Sequence, residues 1–324
     1  MKASEFRVFL SQAAGLSEAQ RATVLRVLSE RSPSEVVREL LESKDGDQRQ
    51  CPHCRGTHVV IWGSAHGLRR YRCRDCRRSF NALTGTPLAR LRHKETWLTF
   101  GEALQNADSV RKSAKDCGVA ITTAFRWRHR FLRAAKAVKP AKLGGIVEAD
   151  ETFFRRSYKG SRRWTRRQPG EAPPARPARH RGGPTGRRGT PLDEQVPVLI
   201  VRDRHRATGD AVLPDLSARS IGAELMPMLG SDALLCTDTS RAYSVIARHA
   251  GLRHEPVNLA AGERVRHRVF HIQNVNAYDS RLKQWMHRFN GVATKYLDSY
   301  LGWRRLLERL QDSLNPQAII LNAR

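Results

Sequence analysis

Two sets of side chains in this sequence have the types and spacing to hold metal ions. The first is sulfur. Cys51-Pro-His-Cys54 and Cys73-Arg-Asp-Cys76 are separated by residues 55–72. Each C-x-x-C can grip a cation from two sides, and two together complete a tetrahedral Cys₄ shell for structural Zn²⁺. The competing reading is a pair of disulfides or redox thiols. It fits poorly with a short basic segment in a chain whose start, Met1-Lys-Ala-Ser-Glu-Phe, lacks the apolar stretch of a secretory signal. The second set is oxygen. Asp150 lies inside the apolar run Ile146–Phe154, and Asp238 just past the apolar run Ala233–Thr237. A carboxylate is costly to bury unless it is paired or binds a metal. Two on neighbouring strands can hold hard divalent cations and support in-line attack on a phosphodiester. One metal would activate a water or 3′-hydroxyl and the other would stabilise the leaving oxygen. The alternative is a pair of surface caps. A third element bears on the choice: Asn276 and Lys283 are two helical turns apart on one face. There an amide oxygen could complete a metal shell and a lysine could reach a phosphate.

These residues need elements to position them. Residues 1–48 read as a helical lead-in, with Ser17 and Ser32 as helix starts. A zinc ribbon is expected over 49–82, with short strands at His58–Gly63 and Leu68–Cys73 and with Arg69, Arg70, Arg72, Arg74, Arg77 and Arg78 giving it positive charge. Residues 93–137 read as helical and resemble a helix-turn-helix, with Ala114 in its first helix, Gly118 in the turn and Thr122–Arg130 on the second. That second helix would present Thr123, Arg126, Arg128 and Arg130 to phosphates and base edges; the plainer alternative is a helical hairpin. Strand, hairpin, helix, strand, helix over residues 144–312 argues for a mixed α/β domain. It is interrupted at 155–190 by a Gly/Pro-rich basic segment that cannot form a core and could clamp phosphates. The last stretch, Gln273–Leu310, reads as helical, with Leu282, Trp285, Phe289, Tyr296, Tyr300, Trp303 and Leu307 in the core.

The composition agrees with a polyanion partner. Lys and Arg number 58 against 31 acids, for a net charge of +27. No apolar run approaches the roughly 20 residues that span a bilayer, so no membrane partner is expected. All six cysteines, including the isolated Cys117 and Cys236, suit a reducing cytoplasm.

Glu148-Ala-Asp150-Glu-Thr-Phe-Phe, Ser157-Tyr-Lys-Gly-Ser-Arg-Arg, Arg181-Gly-Gly, Val196-Pro-Val-Leu and Asn274-Val-Asn276-Ala-Tyr with Lys283 resemble bacterial insertion-sequence transposases. The branch is the ISXO type of the DDE superfamily, and the resemblance covers about residues 50–312. It implies an RNase H-like catalytic core behind the lead-in, ribbon and helix-turn-helix. It also implies Asp150, Asp238, Asn276 and Lys283 as catalytic positions, the first three holding Mg²⁺ (or Mn²⁺). Asn276 falls where many relatives carry Glu, and some carry Asn. Glu148 shares the face of Asp150 and is a reserve acid; Asp279 is expected to be peripheral or exposed. The implied reaction is 3′-end nicking at terminal inverted repeats followed by strand transfer into target DNA, by a homo-oligomer on double-stranded DNA at the nucleoid. Two other readings stay open: a zinc-ribbon DNA-binding regulator without catalysis, and a stand-alone metal-dependent nuclease.

Overall fold

A computed structural model describes residues 3–29, 32–43, 49–140, 142–160 and 194–324. Most of the basic segment 155–190, and with it Ser161–Arg163 and Arg181-Gly-Gly, lies outside the described residues. The chain begins with helices α1 (Ala3–Ala14), α2 (Glu18–Ser29) and α3 (Pro33–Ser43). The last two start in the same way. Ser17 Oγ accepts from the Gln20 amide while Gln20 Oε1 accepts from the Ser17 amide, at 3.3 and 2.9 Å. Ser32 and Glu35 repeat the exchange. Each reciprocal cap satisfies two amides that the helix leaves without partners. Val37 and Leu41 of α3 are fully buried in the main core.

Strands β1 (Val59–Ala65), β2 (Leu68–Cys73) and β3 (Ser79–Asn81) form a small antiparallel sheet in that order. Three helices follow: α4 (Trp97–Gln105), α5 (Val110–Asp116) and α6 (Ile121–Ala137). Ser109 caps α5 through the Lys112 amide, and the turn into α6 runs through Gly118 at φ +62°, a conformation that favours glycine. Trp127 and Phe131 of α6 pack edge-on against Phe100 and Trp97 of α4.

The rest is built on one mixed sheet in the order β6-β5-β4-β7-β8. Its strands are β4 (Ile146–Arg155), β5 (Gln195–Asp203), β6 (Thr208–Val212), β7 (Leu234–Thr237) and β8 (Arg253–Pro256). β4, β5 and β6 are antiparallel neighbours, whereas β4, β7 and β8 run parallel. The strand alternation sorts residues onto two faces. Val147 and Ala149 join Leu199, Val201 and Leu235 beneath α7 (Ala218–Leu225) and α8 (Arg241–Ala250). Ile146, Val198, Ile200 and Cys236 face the other core, beneath α9 (Gln273–His287) and α10 (Leu297–Leu310).

Three details depart from the sequence reading. The helix expected over Gln273–Leu310 is broken between α9 and α10, where Asn290 and Gly291 take φ of +50° and +90°. β8 extends the sheet beyond the expected strands. A further helix, α11 (Pro316–Ala323), lies past residue 312 and packs on α4 so closely that a Cβ on Gly101 would fall 2.9 Å from the Pro316 carbonyl oxygen. α10 crosses α6 equally tightly: a Cβ on Gly302 would meet the Ala135 carbonyl oxygen at 2.7 Å. Next to it Arg305, buried, donates to the carbonyls of Ala135, Lys136 and Val138 at the end of α6 and to the Asp210 carboxylate on β6. Among the described residues, no helix is long and apolar enough to cross a membrane.

Candidate active site and metal centre

The four thiols of the small sheet converge. Cys51 Sγ lies 3.6 Å from Cys76 Sγ, and Cys54 Sγ 3.6 Å from Cys73 Sγ. All four sulfurs are within 4.8 Å of one another. A disulfide needs about 2.05 Å, whereas a zinc tetrahedron with bonds of about 2.3 Å has edges of about 3.8 Å. The donor set therefore fits a zinc ion. The two knuckles are built alike. Cys51 N–H donates to the Gly56 carbonyl and Cys73 N–H to the Arg78 carbonyl, five residues on in each case. The residue after the second cysteine, Arg55 or Arg77, takes a left-handed φ of 62° or 60°. Burial alone would push the Cys51 thiol up, but donation from the His53 and Cys54 amides and from neighbouring thiols lowers it to about 7. A Cβ on Gly56 would lie 2.0 Å from Asp75 Oδ2, so any other residue there must displace the Asp75 carboxylate.

The acids assemble at the carboxyl end of β7. Glu148 on β4 is in parallel register with Cys236 on β7, so Asp150 and Asp238, two residues further along each chain, come side by side. Asp150 is paired across β5 with Ile200, which faces the α9–α10 core. Burial pushes the Asp150 carboxyl up to about 6; the Glu151 amide, donating at 2.9 Å, opposes this, and the charges of Glu151, Asp238 and Asp279 add to it. Glu151 points to the opposite face, where the Tyr243 hydroxyl of α8 donates to it; burial raises its pKa too. Asp238 turns the chain into α8 by accepting from the Ser240 amide at 2.9 Å.

α9 brings the remaining side chains. Asn276, Asp279 and Lys283 follow one another at i, i+3 and i+7 and share one side of the helix. Asn276 and Lys283 are exposed. Lys283 Nζ donates to Asp279 Oδ2 at 2.8 Å. Asp279 is half-buried and acts electrostatically on Asp150, so it belongs to the acid group rather than to the periphery. The signal for this was its place one turn after Asn276 and one turn before Lys283. Glu148, the reserve acid, is committed elsewhere. It is fully buried and accepts from Asn274 Nδ2 and the Val275 amide at 2.9 Å each, with Arg204 at 3.1 Å and His271 at 3.4 Å. Its carboxylate clasps the start of α9 to β4. Among the described residues, the thiol quartet is the one group of three or more such ligands with all its atoms within 4.8 Å.

On α6 the expected basic face changes. Arg128 is 1% exposed, donates to the Asp108 carbonyl and to Ser113 Oγ, and lies over the Trp303 ring at 5.1 Å. Arg130 donates to the carbonyls of Pro87 and Ala89. Arg128 is an internal brace on the packed side of the helix, whereas Arg130, half-buried on the side of Arg126, is tied down to the 87–89 loop. The side facing outward carries Ile121, Thr122, Phe125 and Arg126, with Thr123 half-buried at its edge.

Comparison with known proteins identifies the family. The ISXO2-like transposase domain matches residues 142–304, the segment that holds the sheet, α9 and most of α10. A protein of the transposable element ISH50 from Halobacterium salinarum, described as uncharacterized, is 30% identical over 256 residues, 78% of this chain and 82% of its own. Among solved structures, the Mos1 strand transfer complex is 14% identical over 70% of this chain and 78% of that chain, with a TM-score of 0.24. The Mos1 mariner paired-end complex with Mn is 13% identical over 97% and 96%, with a TM-score of 0.21. Likeness that loose carries no weight for the fold. The family match and the ISH50 relative do carry it: this chain is a member of the ISXO2-like transposase family.

Proposed function

We propose that this transposase binds the terminal inverted repeats of its insertion sequence and catalyses divalent-metal-dependent strand cleavage and strand transfer. The catalytic residues are Asp150, Asp238, Asn276 and Lys283, on an RNase H-like core. The observation that carries the reading is the parallel register of β4 and β7, which sets Asp150 beside Asp238 under α9. The regulator reading has no use for this acid group. The residues suit Mg²⁺ or Mn²⁺: burial pushes the Asp150 pKa up and the charges of Asp238 and Asp279 add to it, so a cation among the three would offset both. When bound, such a cation supplies Lewis-acid charge at the phosphorus and acidifies the attacking hydroxyl. Asp150 and Asp238 contribute the anionic ligands and Asn276 an amide oxygen. Asp279 holds Lys283, whose ammonium can meet a phosphate oxygen. The thiol sheet, held by zinc, and the outward side of α6 form the DNA-reading part.

The test is a Mg²⁺-dependent cleavage and joining assay on the element's own ends. Asp150→Ala and Asp238→Ala abolish both steps while duplex binding persists. Asn276→Ala costs less than either, because it removes no charge. Wild-type-like cleavage by either aspartate variant would sink the assignment. Cleavage without joining by the wild type would favour the stand-alone nuclease.

A further inference from the structure

α9 has a second working side. Asn274, Ala277, Arg281, Trp285 and Arg288 line a cleft of about 850 Å³ that lies between α9, α10 and the β5–β6 turn. Asp279 and Arg281 are two residues apart, about 200° round a helix, so the cleft and the acid group lie on opposite flanks of α9. Six guanidinium groups line it; Arg202 and Arg204 are held by Glu308 and Glu148, and Arg206, Arg281, Arg288 and Arg304 carry the excess charge.

The cleft's two carboxylates are each engaged through one oxygen. Glu308 Oε1 is held by Arg202 at 2.9 Å and Arg281 at 3.6 Å, while its Oε2 has no hydrogen-bond partner. Asp203 Oδ1 accepts from the His205 and Ala207 amides of its own turn. Several donors, by contrast, are not matched. Arg204 Nε, Arg304 Nε and Trp285 Nε1 have no hydrogen-bond partner. Arg288 reaches a single carbonyl, that of Asn106, at 3.4 Å. Arg206 is exposed on the turn at φ +70°. A buried donor without a partner is costly, and three of them around an excess of positive charge form a site for an anion with many acceptor oxygens.

We propose that this cleft binds the phosphate backbone of duplex DNA, along the flank of α9 away from the acids. The positive groups sit on three separate elements and along the rim, which suits an extended row of phosphates better than one compact anion. The proposal rests on the DNA-processing reading only for the identity of the polyanion, and it can fail or hold independently of catalysis.

The experiment is a fluorescence-anisotropy titration of the full chain with a labelled duplex of about 20 base pairs of arbitrary sequence, in EDTA, from about 50 to 200 mM salt. R206E/R288E is compared with R219E/R248E, a charge-matched pair on the exposed surfaces of α7 and α8. The cleft pair should lose at least about tenfold in affinity and about two units of salt slope, roughly 0.9 for each phosphate contact, while the control pair loses less than about threefold. With no divalent metal present the titration reads binding alone, so a failed cleavage assay would leave this result standing. If charge reversal unfolds the protein by circular dichroism, R206Q/R288Q replaces it, with the same direction expected. Equal losses in cleft and control pairs, or no loss in the cleft pair, overturn the proposal. So does displacement of the duplex by micromolar tripolyphosphate, which would mark a compact-anion site.

Discussion

His129 is stacked on Tyr296 with ring centroids 3.9 Å apart, and Phe125 meets it edge-on at 4.6 Å. Neither of its ring nitrogens has a hydrogen-bond partner. Burial, then the charges of Arg128 and Lys295, push its pKa down to about 4. The folded protein therefore keeps this ring neutral where the unfolded chain takes up a proton. Stability is lost as the pH falls from about 6.5 to about 4, by on the order of 1–3 kcal/mol. His129→Phe keeps the stack and removes the titration, so urea midpoints measured at pH 7 and pH 4.5 should draw closer together in the variant. An unchanged gap would assign the acid sensitivity to other groups. The same residue-by-residue burial separates Arg126, free on the surface of α6, from Arg128, sealed two positions later. Their spacing alone says that they face different ways, but not which way is inward, since that depends on Trp303 of α10 and Phe289 of the turn before it, both distant in sequence.

At the scale of elements, the clasp of α9 to β4 decides where the candidate site stands. Glu148 holds Asn274 and the Val275 amide, and α9 then carries Asn276, Asp279 and Lys283 over Asp150. Glu148→Gln keeps the shape but leaves Arg204 without its buried counter-charge. Removing one partner of such a pair costs about 3–5 kcal/mol. The variant should melt several degrees lower and lose strand cleavage, with duplex affinity nearly unchanged. A variant with wild-type melting and cleavage would mean that the clasp does not position α9. The strands of Asp150 and Asp238 were readable because Asp150 interrupts a short strand-like run and Asp238 follows directly on an apolar one. The lead-in helices were readable from Ser17 and Ser32. Glu148 was not readable as a clasp, because its four partners come from residues 204, 271, 274 and 275. Nor was the break after α9, since the apolar residues Phe289 and Tyr296 keep nearly helical spacing across it while Asn290 and Gly291 turn the chain. Arg253–Pro256 carries no apolar run, and it becomes an edge strand only because β7 offers it a parallel partner.

For the whole molecule, the net charge of +27 overstates the surface available to DNA, because Arg128, Arg130, Arg202, Arg204 and Arg305 are spent on carbonyls, acids and rings inside. The thiol sheet is its least self-sufficient part. Its separate core consists of Cys51, Tyr71, Cys73 and Phe80, so half of it is candidate zinc ligand and little apolar area would remain without the metal. One zinc per chain is expected. Chelation should open residues 49–82 to proteases while the main core stays resistant, and Cys51→Ser should do the same; full zinc content in that variant would refute a Cys₄ site. The main core has no such weak joint. Arg305 fastens the end of α6 to both α10 and β6, and Gly302 lets the two helices touch. α6 is 17 residues long, about 25 Å, and its far end is thereby fixed relative to the strand that carries Asp150. On the proposed function, α6 would be a reader and the acid group a cutter, and fixed together in this way they would act as a ruler. The number of base pairs between the sequence read and the bond broken would then be a constant of the protein, unchanged by what DNA lies between.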